Sequence, residues 1–250
     1  MNIKKLLEKY TECFLKLFYP NVCCFCGKVE DKEVCEICQK QLIYITEPRC
    51  KKCGRPVRFE EQEYCYECQK QLFQKKGFSF EQGKNIWLHK HPVNQSIYAF
   101  KYHNRRIYGR FYAKEMYRLY QKDIKLWNID VIIPVPLHRD RKRKRGYNQA
   151  EIIAKYLGKW INIPVETKII HRIKKTVPQK ELNDKERKRN LQGAFQVEEK
   201  IRIYKNILLI DDIYTTGSTL DSVAQAIREK TGDKVSCKVW FLTISIGQDF

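Results

Sequence analysis

The sequence predicts an α/β protein in which a mostly parallel sheet is flanked by helices and preceded by a small cysteine-bound module. Three observations predict this class. Apolar segments of strand and helix character alternate from residue 131 to residue 244, which is typical of a parallel sheet. Ten of the eleven cysteines lie earlier, between residues 13 and 68. The length of 250 residues is sufficient for one full core and a small appendage.

The composition favours anionic partners and excludes a membrane-spanning protein. Lysine and arginine total 49 against 29 acidic residues, which gives a formal net charge of +20. Such an excess attracts phosphate esters, nucleic acids or anionic lipids, although a generally lysine-rich surface would give the same total. Charges interrupt the apolar runs near the N terminus, and no later run has a membrane-spanning length. We therefore expect a cytoplasmic protein with reduced thiols.

Residues 1–20 form the first predicted segment, an amphipathic helix. Apolar side chains recur at helical spacing between residues 3 and 18, and Pro20 ends the pattern. We expect the apolar stripe to dock on the rest of the protein. Nearby lysines leave a peripheral contact with a membrane surface or a partner protein open.

Residues 21–75 form the second predicted segment, a zinc module. Four cysteine pairs share the two-residue gap that aims both sulfurs at one metal. They are Cys23 with Cys26, Cys35 with Cys38, Cys50 with Cys53, and Cys65 with Cys68. Since tetrahedral zinc takes four thiolates, they fit two structural sites, most simply one from the first two pairs and one from the last two. Disulfides, an iron–sulfur cluster and interleaved pairing are the alternatives, and Cys13 and Cys24 are expected to be bystanders.

Residues 80–250 form the third predicted segment, the large domain. The periodicity predicts, in chain order, a helix at 107–120, a strand at 131–135, a helix at 149–160, strands at 165–170 and 207–210, a helix at 220–230 and a strand at 235–244. Residues 172–195 are basic and rich in turn formers, and they predict a long loop or hood. Loops of this length usually have a function.

The main candidate site follows the strand at 207–210. Asp211 and Asp212 come directly after the apolar strand and precede a hydroxyl-rich loop that consists of Thr215, Thr216, Gly217, Ser218 and Thr219. At the carboxyl end of a parallel strand, the amides that begin the next helix bind phosphate well. The loop would surround a phosphate while the acids accept hydrogen bonds from a ribose diol. Adjacent acids repel unless hydroxyls, a metal or cations compensate, which disfavours a purely structural role.

Three basic stretches accompany this site. The first has six cations between residues 139 and 145. Its candidates for a pyrophosphate or nucleic-acid surface are Leu137, His138, Arg139, Arg141, Arg143 and Arg145. The second, at 185–189, lies in the predicted hood. The third, at 101–110, is interleaved with Tyr102, His103 and Tyr108, which suits the stacking of single-stranded bases. A solvated charged run and tyrosines of a helix core are the alternatives.

The order of acids, glycine and hydroxyls resembles the 5-phosphoribosyl-1-pyrophosphate (PRPP) signature of type I phosphoribosyltransferases. Over nearly all of residues 20–245 the chain resembles the ComF family. The motifs that carry this resemblance are the cysteine pairs, the segment Val131-Ile132-Ile133-Pro134-Val135-Pro136-Leu137-His138, Arg145-Gly146-Tyr147-Asn148-Gln149, Arg172, Thr176, Pro178-Gln179, residues 187–190 and Gly193-Ala194-Phe195.

The resemblance implies a type I phosphoribosyltransferase fold with an N-terminal double zinc ribbon, in proteins of natural transformation that handle incoming single-stranded DNA. It implies that Asp211 and Asp212 bind the ribose hydroxyls and that residues 215–219 bind the 5-phosphate. Residues 137–139 stand where such enzymes hold pyrophosphate, and magnesium would bridge pyrophosphate and ribose oxygens. A DNA-uptake protein or a helicase is the kind of protein partner that it suggests.

We therefore expect a cytoplasmic protein of natural transformation that binds PRPP with magnesium and also binds single-stranded DNA. The alternative is an active phosphoribosyltransferase that transfers phosphoribosyl to a nitrogenous base. Magnesium, the cations at 139–145 and closure of the hood would then stabilise the departing pyrophosphate. The sequence identifies neither an acceptor-base segment nor an obligatory base. A third interpretation is a sensor in which PRPP only changes the affinity for DNA or for a protein partner.

Overall fold

The computed structural model describes residues 21–74, 77–174, 191, 193–232 and 237–247. The predicted helix at 3–18, the basic stretch at 185–189, most of the predicted hood and the start of the predicted last strand lie outside these residues. The strands are β1 (Gln82–Leu88), β2 (Val131–Pro134), β3 (Ile170–Arg172), β4 (Phe195–Val197), β5 (Asn206–Tyr214) and β6 (Lys238–Ile246). The helices are α1 (Glu36–Gln41), α2 (Tyr66–Phe73), α3 (Val93–Tyr102), α4 (Tyr108–Leu126), α5 (Arg139–Arg145), α6 (Gln149–Ile161) and α7 (Ser218–Thr231), with a 3₁₀ turn at Glu199–Ile203.

Four parallel strands form the main sheet in the order β1, β6, β5, β2. The predicted architecture of a parallel sheet with flanking helices, preceded by a cysteine module, is confirmed. β2 ends at Pro134, which lies opposite Ile210, whereas β5 continues to Tyr214. Residues 211–214 therefore extend past the end of β2, at the edge where ligands bind in sheets of this kind.

Successive apolar side chains of β5 point to opposite faces of the sheet and contribute to a hydrophobic core on each face. Leu208 and Ile210 are fully buried in the cluster that contains α4 and α6, while Ile207 and Leu209 are fully buried in the cluster that contains α7. Burial of such a side chain stabilises the fold by about 1.5–3 kcal/mol. A strand that is apolar on both faces suits a parallel sheet that is covered on both sides.

The longest described helix, α4, is amphipathic. It buries Phe111, Tyr112 and Met116, whereas Lys114 and Arg118 face solvent. In the described part of the chain, no helix has both the length and the apolar character needed to cross a bilayer.

The cysteine module packs along the outer edge of β1. The amide of Ile45 donates to the Ile86 carbonyl at 2.9 Å, and the amide of Leu88 donates to the Ile43 carbonyl at 3.1 Å. The first four pair cysteines belong to the α4 side of the core and the last four to the α7 side. The module therefore shares both cores with the sheet.

Gly54 shows how closely the module approaches β1. Its φ is +72°, and a Cβ at this position would lie 2.6 Å from the Gly83 carbonyl oxygen. Any larger residue would both strain the backbone and push the second half of the module off the strand.

One predicted element is wrong. Residues 165–170 do not form a strand, since only Val165 makes a single parallel bridge, to Ile132. Pro164 has no amide hydrogen to extend the ladder. The structure instead begins β3 at Ile170 and pairs it antiparallel with β4 in a separate two-stranded sheet.

Several described elements have no counterpart in the prediction, namely α1, α2, β1, α3, α5 and β4. The first half of β1 reads as polar because it contains Gln82, Lys84 and Asn85. Asn85 is nevertheless fully buried, since its amide donates to the Cys53 carbonyl at 2.8 Å and its side-chain oxygen accepts from Thr243 at 2.6 Å. The polar side chain thus joins the module to the sheet, which a hydrophobic pattern does not reveal.

Candidate functional site

Two neighbouring carboxylates at the end of β5 have different partners. The Asp212 carboxylate lies 2.9 Å from the ammonium nitrogen of Lys101, at the C-terminal end of α3. Asp211 accepts a hydrogen bond from the backbone amide of Asp212 at 2.8 Å. Burial, followed by the negative charge of Asp212, raises the pKa of Asp211 to about 7. A ligand that brings cations or hydroxyl donors would favour its ionised form.

The loop after β5 begins α7 with a left-handed glycine. Gly217 has a φ of +77°, and a Cβ there would lie 2.5 Å from the Tyr214 hydroxyl. The hydroxyls of Thr216 and Ser218 are 2.8 Å apart. This conformation needs glycine, and it presents the first amides of a 14-residue helix beside the two acids.

A cleft of about 290 Å³ opens above the ends of β2 and β5. Its lining residues include Lys101, Tyr102, Leu137, Arg141, Arg145, Arg172, Asp211, Asp212, Thr215 and Thr219. The structure therefore brings seven of the predicted site residues to one cleft. Thr216 and Ser218 instead line a small cavity behind the loop, beside the second cysteine group.

The basic run forms helix α5, which divides its cations between two faces. Arg141 and Arg145, one helical turn apart, line the cleft, whereas Arg139 and Arg143 are exposed to solvent. His138 does not line the cleft, because it is buried and its ring nitrogen accepts from the Asp140 amide at 3.3 Å as the helix cap. The helical spacing thus selects which arginines reach a ligand.

Burial and mutual repulsion indicate a dense positive field in the cleft. Burial, then the charge of Arg145, lowers the pKa of Arg141. Burial, then the charge of Arg141, lowers the pKa of Arg172 to about 10. A polyanion bound in the cleft would relieve this repulsion.

Among the three aromatic residues considered for base stacking, the prediction is wrong for Tyr108, which is a core residue of helix α4 as the alternative states. It is 2% exposed and packs beside the first cysteine group. Tyr102 and His103 are exposed, and Tyr98 joins them on α3 with a ring centroid 4.9 Å from that of Tyr102. The prediction missed Tyr98 because it precedes the basic stretch at 101–110.

The eight paired cysteines form two groups of four. They are Cys23, Cys26, Cys35 and Cys38, and Cys50, Cys53, Cys65 and Cys68, with all sulfurs of a group within 4.8 Å of one another. The sulfurs of Cys26 and Cys35 are 3.8 Å apart, and those of Cys53 and Cys65 are 3.6 Å apart. Zinc–sulfur bonds of about 2.3 Å in a tetrahedron place sulfurs about 3.8 Å apart. Since the described cysteines form no disulfides, both groups fit a structural zinc ion.

The second cysteine group lies directly behind the loop at residues 215–219. Arg55, two residues after Cys53, donates one hydrogen bond to the Thr215 carbonyl at 3.1 Å and another to the Gly247 carbonyl at 2.8 Å. A cavity of about 30 Å³ separates Cys53, Cys65 and Cys68 from the loop. The module thus contacts the loop as well as the edge of the sheet.

The family model of the double zinc ribbon domain matches residues 14–69. Competence protein F of Haemophilus influenzae is 34% identical over 215 residues, a match that covers 84% of this chain and 89% of that protein. The chain belongs to the ComF family. Competence protein ComFC of Bacillus subtilis is 25% identical over 80% of each chain.

Two further likenesses are more limited. DNA utilization protein YhgH of Escherichia coli is 33% identical to this ComF-family chain, over 45% of the chain and 48% of that protein. A purine phosphoribosyltransferase from Pyrococcus horikoshii superposes with a TM-score of 0.34 at 13% identity, covering 56% of this chain and 84% of that one.

Three cleft residues of this ComF-family chain, Lys101, Tyr102 and Arg172, were not among the residues predicted to bind PRPP, and Tyr102 was predicted only to stack bases. Lys101 and Tyr102 belong to the third basic stretch and Arg172 to the motifs that carry the resemblance, so a signal existed for each. The convergence on the acids depends on packing across more than a hundred residues of chain for Lys101 and Tyr102, and across about forty for Arg172. Together, the cations, hydroxyls and paired acids can bind a molecule that carries both phosphates and a diol.

Proposed function

We propose that this protein binds PRPP together with magnesium in the cleft at the end of β5. We further propose that it binds single-stranded DNA and acts in the cytoplasm during natural transformation. The names of the relatives from H. influenzae and B. subtilis support the role in competence. The grouped, unbridged thiols suit a reducing compartment.

The observation that carries the proposal is the meeting of opposite charges in one cleft. Asp211 and Asp212 line the cleft together with four cations, which are Lys101, Arg141, Arg145 and Arg172. A ribose diol would donate to the acids, and the 5-phosphate and pyrophosphate would accept from the loop amides and the guanidinium groups. PRPP carries all three groups on one small molecule.

The cleft also fits the magnesium that accompanies PRPP. The carboxylates of Asp211 and Asp212 are hard oxygen donors of the kind that attract this ion directly or through its water. Magnesium would neutralise part of the pyrophosphate charge, and the two acids would hold the ribose beside it. In this role the acids position the ligand, and Asp211 accepts from the ribose diol in its ionised form.

Helix α5 offers a matched test of the PRPP site. We expect Arg141→Ala/Arg145→Ala to weaken PRPP binding by about 100-fold or more, because each of the two arginines makes a charged contact worth about 1.5–3 kcal/mol and about 1.4 kcal/mol corresponds to a factor of ten. Arg139→Ala/Arg143→Ala removes the same charge from the solvent face of the same helix and should change affinity by less than about threefold. Isothermal titration calorimetry with PRPP and magnesium measures both. Equal losses in the two variants would show that only net charge matters and would refute the cleft assignment.

A further inference from the structure

An exposed aromatic cluster stands at the end of α3, beside the cleft. We call Tyr98, Tyr102 and His103 the aromatic face. Tyr98 and Tyr102 are 55% and 51% exposed, and the Tyr98 ring centroid lies 4.9 Å from that of Tyr102 and 5.4 Å from that of His103. Two large rings at this exposure leave apolar surface in contact with water, which a stacked nucleobase would cover.

Cations border this face and suit a nucleic-acid backbone. The segment from 101 to 110 contains four cations and no acid, and Arg105 and Arg106 are exposed. On the neighbouring helix α5, Lys142, Arg143 and Lys144 are exposed as well. Rings for bases next to charges for phosphates are the combination that binds single strands without sequence preference.

The aromatic face and the cleft share residues. The Arg145 guanidinium lies 5.0 Å from the Tyr102 ring centroid and donates to its hydroxyl at 3.2 Å. Both side chains line the cleft that contains Asp211 and Asp212. The residue before Tyr102 is Lys101, which pairs with Asp212. A phosphate bound to Arg145 from the aromatic face would therefore use a group that PRPP also needs.

We propose that single-stranded DNA lies across the aromatic face with a backbone phosphate on Arg145, so that DNA and PRPP exclude each other. This inference rests on the proposed function and adds that PRPP regulates DNA binding. A rise in PRPP would release the strand, and by linkage a bound strand would weaken PRPP binding by the same factor.

The test is a competition measured by fluorescence anisotropy. Labelled oligothymidine is titrated with the full chain at several PRPP concentrations, with magnesium constant and ionic strength matched by sodium chloride. The apparent DNA dissociation constant should rise in proportion to the PRPP concentration once that concentration exceeds the PRPP dissociation constant. In Asp211→Asn/Asp212→Asn, PRPP should have no effect on DNA binding, which separates competition from screening by a polyanion.

A tyrosine substitution tests the aromatic face independently. Tyr98 does not line the cleft, so Tyr98→Ala should weaken DNA binding about tenfold through lost stacking and leave PRPP affinity unchanged. Tyr98→Phe keeps the ring and should retain DNA binding. Tyr66→Ala is the control, because Tyr66 is 71% exposed on α2 of the cysteine module, and it should have no effect.

The outcomes separate this inference from the proposed function. If both ligands bind and PRPP leaves DNA affinity unchanged or increases it, the inference is overturned while the proposed function stands. If Tyr98→Ala binds DNA as well as wild type does, the strand does not use this face and the inference fails. If the protein does not bind DNA when PRPP is absent, the DNA-binding half of the proposed function is overturned, and the inference with it. If the protein does not bind PRPP when DNA is absent, the PRPP-binding half is overturned, and the inference fails as well.

Discussion

Asp211 and Asp212 are adjacent in sequence, yet they have different partners in the structure. The ammonium nitrogen of Lys101 lies 2.9 Å from the Asp212 carboxylate. Asp211 accepts a hydrogen bond from the Asp212 amide, and burial, followed by the negative charge of Asp212, raises the pKa of Asp211 to about 7. In the unliganded protein, Asp211 therefore changes charge near neutral pH.

This difference predicts a pH dependence. As pH falls from 8 to 6, Asp211 takes up a proton in the free protein, loses acceptor capacity for the ribose diol and should weaken PRPP binding. As pH rises through about 7, the carboxylate ionises and affinity should increase. Calorimetry of wild type and Asp211→Asn across this range measures the effect, with Asp31→Asn as an exposed control. The titration of the ligand phosphates is common to all three proteins, so identical pH profiles would contradict a role for Asp211.

At the scale of elements, the second cysteine group supports the loop that begins α7. The two hydrogen bonds of Arg55 join this half of the module to the Thr215 carbonyl and to Gly247, after β6. Gly54 and Asn85 fix the same half against β1. The conformation of the loop thus depends on a segment that lies about 160 residues earlier in the chain.

Removal of the Arg55 hydrogen bonds should weaken PRPP binding without the loss of zinc from the cysteine module. We expect Arg55→Ala to lower PRPP affinity about tenfold, because hydrogen bonds from a charged donor contribute about 1.5–3 kcal/mol and their loss lets the loop move. Zinc content, measured by atomic emission, should be unchanged. Arg58→Ala, an exposed arginine in the same module, should bind PRPP as wild type does. If Arg55→Ala binds PRPP as wild type does, Arg55 has only a structural role and does not support the loop for ligand binding. If the variant loses zinc, any loss of PRPP affinity results from damage to the cysteine module.

The elements that the sequence predicted correctly are those whose apolar pattern matches their burial. β5 and α7 are examples, since Ile207 to Ile210 are fully buried and α7 buries Leu220, Val223 and Ile227. β1 was not predicted because its first half is polar, and the burial of Asn85 depends on hydrogen bonds to the module and to Thr243. The candidate acids and loop were visible as one continuous motif, whereas Lys101 and Tyr98 reach their positions only through the packing of α3.

Across the whole molecule, the module and the sheet share their hydrophobic cores. Each four-cysteine group belongs to one of the two clusters that cover the sheet. We propose that the segments at 21–75 and 80–250, although distinct in composition, depend on each other for stability. The charge of +20 predicted anionic partners, but composition could not show that cations of α3, α5 and β3 would meet around two acids.

The most direct test of the central claim is calorimetric titration of PRPP with magnesium into wild type and Asp211→Asn/Asp212→Asn. The account predicts saturable binding in wild type and a loss of about 100-fold or more in the variant, with circular dichroism and zinc content unchanged. Asp31→Asn/Glu36→Gln removes the same charge from exposed positions and should bind as wild type does. Equal affinity in the Asp211/Asp212 variant, or no binding in wild type, would contradict a PRPP site at the end of β5.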